Sequence, residues 1–292
     1  MEGFEGTLGV IGVGVVGTAI KNALEQFKIQ TKLYDKYKKV GTSIDDLLDC
    51  SMIFICLPTP FIYYSFSDKE HAEDAEYAEH AEDADDIDRK GHYDKKELYQ
   101  VIERLANLEY EGFIIIKSTV EPGTTKSLQL KYSNLLLVHN PEFLCAKTAS
   151  EDFLNQTHII IGTISSEKDI SHVINFYSTY FPNALISITT SNESEMAKIT
   201  CNSFYACKIQ FFTEIKLFCD RFNISYDNVK SLIIKNGWIN PMHLEVPGHD
   251  GNISFGGACL PKDVQCLNSL LEKHHIDNQV INAVVEENKK MR

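Results

Sequence analysis

The stretch GVIGVGVVGTAI, residues 9–20, constrains this chain more than any other. It sets Gly12, Gly14 and Gly17 in Gly-x-Gly-x-x-Gly spacing, directly after an apolar β-branched run and at the mouth of a helix-permissive segment, TAIKNALEQF. In a strand–turn–helix unit Gly12 permits the tight turn and Gly14 lets the backbone approach a pyrophosphate. Gly17 lets the helix pack closely on the strand. The N–H groups at the helix start, those of Val15 and Val16 among them, attract the anion. Asp35 closes the next apolar run, TKLYD, 18 residues after Gly17, where a carboxylate takes a ribose 2′-hydroxyl. The pattern predicts NAD rather than NADP, with Lys36 and Lys38 pulling the other way. A glycine turn that holds no ligand is the plainer alternative.

The same signal repeats down the chain. SMIFICLP (51–58), GFIIIKST (112–119), NLLLVHNP (134–141) and HIIIGT (158–163) are continuous apolar runs of strand length, each followed by turn or polar residues. Such runs, alternating with helical stretches, predict a Rossmann-type doubly wound α/β domain, its parallel sheet covered on both faces, over residues 1–190. Beyond it, Ser191 to about Asp220 holds neither glycine nor proline, and apolar residues recur at helical spacing. One helix of about 25 residues is expected there, longer than most. It is apolar over much of its circumference, so it should pack against more than one neighbour. Shorter helices are predicted near 225–236, 261–273 and 277–290. Residues 191–292 thus read as an all-helical domain with one long central helix.

Composition removes several function classes. The net charge of −13 is mostly local, because Asp68–Asp88 holds eleven carboxylates against one lysine. The rest has no basic patch to serve as a nucleic-acid footprint. The near-repeat HAEDAEYAEHAED lies within residues 68–94, which read as a solvated acidic insertion, with cation binding as the alternative. No apolar run approaches the roughly 20 residues needed to span a bilayer. MEGFEGTLGV has neither the basic nor the apolar region of a signal peptide. Eight cysteines scattered without CxxC pairs point to a reducing compartment, the cytoplasm by default.

Chemistry-bearing residues cluster after the strand runs. LPTP (57–60) offers Thr59, and KSTVEPGTT (117–125) offers Ser118 and Thr119, at strand ends where open α/β sheets bind ligands. HNPEFL (139–144) brings Glu142, with Phe143 and Leu144 beside it. On the long helix Lys198 and Asn202 stand four residues apart and share a face. Taken alone, each of these also fits a structural turn, a solvated loop or a surface pair. FGGACLPKD (255–263) places Cys259 just before Pro261, a residue favoured at a helix start. A thiol there feels the helix dipole and the charge of Lys262, both of which favour the thiolate. Gly256 and Gly257 allow a second molecule to come close. Asp263 falls in the first helical turn, where a carboxylate is favourable on structural grounds as well.

Taken in order, GVIGVGVVG, LPTP, KSTVEPGTT, NPEFL, AKITCNSF and PGHDGNISFGGACLPKD resemble the nucleotide-sugar dehydrogenases, the UDP-glucose and GDP-mannose dehydrogenase family. The resemblance spans nearly the whole chain, and the cysteine loop is its most specific part. The approach INPMHLEVPGHDG is similar to that of bacterial members acting on UDP-glucose. The resemblance implies oxidation of a sugar C6 alcohol to a carboxylate with two NAD. It makes Cys259 the nucleophile that traps the aldehyde as a thiohemiacetal and then carries a thioester. Lys198 then stabilises the developing oxyanion and Asn202 orients substrate oxygens. Asp263 and Glu142 handle protons and the hydrolytic water, which Thr119 helps to hold. Gly12, Gly14, Val15, Val16, Gly17, Asp35, Thr59, Ser118, Thr119 and Lys262 are the implied cofactor residues. Phe143, Leu144, His243, Phe255, Gly256 and Gly257 join Glu142, Lys198 and Asn202 along the nucleotide sugar. The long helix is implied to form a homodimer core, with no nucleic-acid, membrane or metal partner.

Four departures stand against the family pattern. Ala146 and Lys147 replace a Glu-Gly pair after NPEFL, and NQTH replaces Pro-Asp-Arg before the strand at 158. The acidic insertion fills what is ordinarily a short connection. The family continues into a third, Rossmann-like domain, expected to begin about where this sequence reaches VVEENKKMR. Three alternatives follow: another nucleotide sugar as substrate, a two-electron hydroxyacid-type dehydrogenase that uses the lysine and asparagine without a cysteine, and a cofactor-binding remnant without turnover.

Overall fold

The computed structural model describes residues 6–41, 43–63, 91–164 and 170–292. In chain order the elements are β1 (Leu8–Ile11), α1 (Val15–Gln26), β2 (Thr31–Tyr34), β3 (Met52–Ile55), β4 (Phe61–Tyr63), β5 (Gly91–Tyr93), α2 (Lys96–Asn107) and β6 (Phe113–Ile116). There follow α3 (Thr124–Lys131), β7 (Leu136–His139), α4 (Ala149–Leu154), β8 (His158–Thr163), α5 (Ser171–Tyr180) and β9 (Leu185–Thr190). The last four are α6 (Ser191–Arg221), α7 (Tyr226–Lys235), α8 (Leu260–Lys273) and α9 (Gln279–Met291). Every apolar run expected to be a strand forms one. Residues 68–90 of the acidic insertion lie outside the described residues, whereas its end, Gly91–Tyr93, is β5.

Seven strands make one sheet in the order β2-β1-β3-β6-β7-β8-β9. The pairings from β2 to β7 are parallel, but β7 meets β8 antiparallel through His139 and Gly162. β8 and β9 then run parallel to each other. The sheet is therefore mixed and mostly parallel, not wholly parallel as the apolar runs led one to expect. An apolar run reports burial on both faces and carries no information on strand direction. β9 escaped the same reading because Ser187, Thr189 and Thr190 interrupt the apolar run, and none of its residues is buried.

The chain divides into two compact units, Met1–Thr59 with Asp94–Lys198, and Pro60–Tyr93 with Ile199–Arg292. In the first unit the strands bury both faces. Leu8, Val10, Met52, Phe54 and Ile115 face one core, and Ile11, Ile53, Ile55, Ile114 and Ile116 the other. Each such side chain contributes roughly 1.5–3 kcal/mol by leaving water. The strand order reverses about β1, so the carboxyl ends of β1 and β3 form the switch point where such sheets bind ligands.

The second unit packs helices over three apolar clusters, centred on Phe212, Tyr226 and Leu244, on Tyr93, Ile199 and Cys266, and on Ala206, Phe255 and Val264. To the expected helices it adds a two-stranded antiparallel ribbon of β4 and β5, paired from Phe61–Tyr93 to Tyr63–Gly91. The 31-residue helix α6 has its residues up to Lys198 in the first unit and those from Ile199 on in the second. Phe204, Phe211 and Phe218, seven residues apart on α6, are more than half exposed. No helix among the described residues is long and apolar enough to cross a membrane.

Candidate active site

The glycine turn has the shape its spacing predicts. Gly12 has φ +87°, and a Cβ there would stand 2.6 Å from the Cys56 carbonyl oxygen. At Gly17 a Cβ would stand 1.9 Å from the Gly12 carbonyl oxygen, so only glycine lets α1 come this close to β1. At Gly14, the N-cap of α1, a Cβ would meet nothing within 4 Å. Open space at the second glycine and steric demand at the other two fit a dinucleotide whose pyrophosphate rests on Val15 and Val16 at the helix start. Asp35 Oδ2 accepts from the Val13 amide at 2.8 Å, and Oδ1 from the Tyr37 and Lys38 amides at 3.0 and 2.9 Å. Burial opposes its ionisation, but these amides and the Lys38 charge outweigh it and hold the carboxyl below its usual range. Three amides leave acceptor capacity for a ribose hydroxyl. Lys38 Nζ reaches the Val13 carbonyl at 2.5 Å, which braces the same turn.

The loops after β3 and β6 are tied to each other. Leu57 N–H donates to Ser118 Oγ at 2.9 Å, and Thr59 Oγ1 donates to the Thr119 carbonyl at 2.6 Å. Thr59 and Ser118 are buried and hold these turns, while Thr119 is half-buried. Below them lies Lys117, 3% exposed, with Nζ 2.7 Å from Asn140 Oδ1. Asn140 also accepts from Tyr177 Oη at 2.5 Å and donates to the Ile160 carbonyl at 2.6 Å. Burial pushes Lys117 down to about 8, against the pull of Cys56 and Glu142. Burial, then the Lys117 charge, pushes His139 down to about 3, so it is neutral against Ser194 Oγ at 2.7 Å. Glu195, one turn into α6, accepts from the Gly123 and Thr125 amides at 2.7 and 2.9 Å and caps α3. Its burial raises it to about 7 in spite of those amides.

Two of the expected catalytic residues meet in the first unit. Lys198 Nζ lies 3.1 Å from Glu142 Oε1 and also bonds the Glu142 carbonyl, with both side chains nearly buried. Glu142 Oε2 accepts from Leu144 N–H at 2.7 Å, and the Phe143 ring lies 5.1 Å from the ammonium. This is an oriented carboxylate beside a fixed cation, the arrangement that proton transfer and oxyanion stabilisation both require.

Thr119 also lies in the first unit, whereas Asn202, Cys259 and Asp263 belong to the second. Asp263, fully buried, accepts from Asn202 Nδ2 at 2.5 Å on Oδ2, and from Lys262 Nζ and Tyr93 Oη at 2.5 Å each on Oδ1. Cys259 is exposed as the N-cap of α8, with Pro261 in the first turn. Gly257, at φ +81°, has open space where a Cβ would stand. Gly256 does not: a Cβ there would stand 2.0 Å from an Arg292 guanidinium nitrogen. Arg292 is bound to Asp250 at 2.7 Å and to the Ile253 and Ser254 carbonyls. Gly256 thus makes room for Arg292. Phe255 is buried with Ala206, Val264 and Val285, so it has only its backbone to offer a ligand. His243, in the left-handed region at φ 65°, is half-buried with its ring 4.8 Å from Tyr205.

The sequence reading passed over Tyr93, Lys117 and Glu195. Lys117 opens KSTVEPGTT but reads there only as the end of a strand, whereas Tyr93 and Glu195 carry no motif of their own. A buried lysine and a buried glutamate in apolar surroundings are the one signal that pointed to them.

A mixed α/β sheet with a glycine turn at its switch point, followed by a long helix and a cysteine-capped helix, defines a dinucleotide-binding dehydrogenase architecture. The comparisons are narrower. Residues 23–181 match the NAD binding domain of the UDP-glucose/GDP-mannose dehydrogenase family, and residues 192–290 match its central domain. The chain belongs to the UDP-glucose/GDP-mannose dehydrogenase family. It is 31% identical over 205 residues to the UDP-glucose 6-dehydrogenase of Rickettsia conorii, covering 68% of this chain and 46% of that protein. The chain therefore spans about half the length of the curated relatives it matches. Among solved structures it resembles a UDP-glucose dehydrogenase from Pyrobaculum islandicum, with TM-score 0.78, 19% identity, and 99% of this chain and 69% of that one covered. A 3-hydroxyisobutyrate dehydrogenase from Mycobacterium tuberculosis matches with TM-score 0.69 and 14% identity, over 98% of this chain and 93% of that one. The fold alone is thus common to both dehydrogenase types, and the sequence separates them.

Proposed function

We propose that this chain carries the NAD-binding and cysteine-bearing parts of a UDP-glucose 6-dehydrogenase, which oxidises the sugar C6 alcohol to the carboxylate, giving UDP-glucuronate. The observation that carries the reading is Cys259, exposed at the N-terminus of α8 within FGGACLPKD. A two-electron hydroxyacid-type enzyme has no use for a thiol there. Bound NAD supplies the hydride acceptor for each of the two oxidations. Gly12, Gly14, Gly17 and Asp35 hold the dinucleotide, and the α1 N-terminus faces its phosphates. Cys259 Sγ adds to the C6 aldehyde carbon, forming a C–S bond while the carbonyl oxygen takes a proton. Loss of a hydride from that thiohemiacetal, with its hydroxyl proton, leaves a thioester. Water then breaks the C–S bond and returns the thiol beside a free carboxylate. Lys198 steadies the oxyanion, Glu142 directs the water, and Asn202 orients the substrate.

The protein acts as a homodimer through α6, in a reducing cytoplasmic setting. The exposed phenylalanines at 204, 211 and 218 support the first statement, since an apolar row at seven-residue spacing marks a helix-packing seam. The scatter of eight cysteines along the chain without CxxC pairs supports the second. Incubation with NAD and a panel of nucleotide sugars tests the reading. Two NADH per UDP-glucose are expected, and Cys259→Ser should stop the second oxidation. A preference for a GDP- or UDP-N-acetyl sugar reassigns the substrate. One NADH per sugar would make the enzyme a two-electron dehydrogenase. NAD binding with no NADH from any sugar would make the chain a cofactor-binding remnant, consistent with Ala146 and Lys147 in place of the family's Glu-Gly pair.

A further inference from the structure

Tyr93 ends the short strand β5, and neither its neighbours nor any motif marks it for chemistry. Its ring is fully buried in the cluster with Ile199, Cys266 and Leu267. Its hydroxyl donates to Asp263 Oδ1 at 2.5 Å, the oxygen that also takes Lys262 Nζ at 2.5 Å. The Lys262 ammonium stands 4.4 Å from the centre of the Tyr93 ring, within cation–π range. The other carboxylate oxygen takes the Asn202 amide at 2.5 Å, and Ser203 Oγ donates to the Asp263 carbonyl at 3.3 Å. Burial, followed by the charges of Cys266 and Asp263, holds the phenol well above its usual range, so it stays a neutral donor.

Physically, Asp263 is a hub. A buried carboxylate with three side-chain donors is fixed in rotation, and whatever fixes it also fixes the donors. Lys262 hangs on a flexible four-carbon stem and cannot by itself stop the carboxylate from turning. The phenol can, because its ring is clamped in an apolar cluster and has two torsions to lose. The same ring limits where the ammonium goes.

We propose that Tyr93 is a positioning residue that, through Asp263, fixes the Asn202 amide and the Lys262 ammonium in their working geometry. The inference rests on the reading above, in which Asn202 orients substrate and Lys262 contacts the cofactor. It extends the site to β5, which no motif assigns to it.

The test uses the full chain with Tyr93→Phe, which keeps the ring, and Tyr93→Leu, which removes ring and hydroxyl. Tyr93→Phe should lower kcat for UDP-glucose about tenfold, as misorientation of a catalytic group does, with KM and NAD Kd within twofold of wild type. In an Asn202→Ala background the same change should cost less than twofold, because the group it positions is gone. A partly unfolded fraction would lower kcat equally in both backgrounds, so a tenfold loss in each overturns the proposal, as does an unchanged kcat in Tyr93→Phe. Tyr93→Leu should in addition weaken NAD binding at least fivefold by releasing Lys262. If wild type reduces no NAD with any nucleotide sugar, the functional reading fails, and the NAD affinities decide on Tyr93 alone. Equal Kd values for wild type and a folded Tyr93→Leu then overturn the proposal.

Discussion

Glu195 makes the stability of the first unit depend on pH in a direction opposite to that of most carboxylates. Its side chain is fully buried and accepts the Gly123 and Thr125 amides at the start of α3. Burial outweighs those bonds and raises it from 4.5 to about 7. A group whose folded value is raised gives its full stability below its unfolded value and loses it as pH climbs through the folded one. At 1.36 kcal/mol per pH unit, the ionised form costs the fold of order 3 kcal/mol once pH exceeds 7. Most of that loss, about 2.5 kcal/mol, falls between pH 5 and pH 8. Glu195→Gln cannot ionise, but its amide nitrogen must face one of the two N–H donors, which costs about 1–3 kcal/mol at any pH. The variant should therefore be the less stable protein at pH 5 and draw level with, or pass, wild type by pH 8. Urea unfolding of both proteins at pH 5, 6, 7 and 8 reads this as a difference of midpoints, in which every other titrating group cancels. A difference constant to within about 0.5 kcal/mol across the range would refute the assignment of the buried charge.

Gly17→Ala should destabilise the first unit by about 3 kcal/mol, because the new methyl meets the Gly12 carbonyl, which is backbone and cannot swing aside. A thermal midpoint and an NAD Kd like those of wild type would contradict the packing described. Lys117→Met removes a buried ammonium that burial holds at about 8. The cost of that charge is fully present below pH 8 and relieved as pH rises toward 10.5. The variant should gain stability over wild type at pH 7 and lose the advantage by pH 10, while turnover falls because Asn140 and the Glu142 loop lose an anchor. Chemical unfolding at the two pH values checks the first statement and initial rates check the second. Phe211→Asp places a charge in the exposed row of α6 and should convert a dimer to a monomer in sedimentation velocity at micromolar protein. A wild type already monomeric there rules the dimer out.

What was legible in the sequence were features imposed by backbone sterics or burial over a few adjacent residues. Gly12 and Gly17 are required by atoms less than 3 Å from where their Cβ would lie, and that demand shows as a spacing. The apolar runs of β1, β3, β6, β7 and β8 report burial on two faces, and the uninterrupted α6 shows as an absence of glycine and proline. What was not legible depends on pairs far apart in the chain. Tyr93 and Asp263 are 170 residues apart, and Glu195 and Gly123 are 72. Nothing local in ISFGG says that Arg292 lies against Gly256, and nothing in HIIIGT says which way β8 points. Asp263 shows the limit most clearly. The resemblance implies a role for it in handling protons, but its full burial and its contacts with Asn202, Lys262 and Tyr93 could not be read from the motif.

The spacing of Glu195, Lys198 and Asn202 joins these two kinds of information. Steps of three and four residues keep them on one strip of α6. Each binds a different loop: Glu195 the turn at Gly123–Thr125, Lys198 the loop of Glu142, and Asn202 the helix start that carries Asp263. Glu195 and Lys198, three residues apart, hold two loops of the first unit, while Asn202 serves the second. The apolar remainder of the α6 surface buries the second unit's core at Ile199, Ala206 and Phe212, and this leaves the strip's polar residues free to be chosen for what they hold.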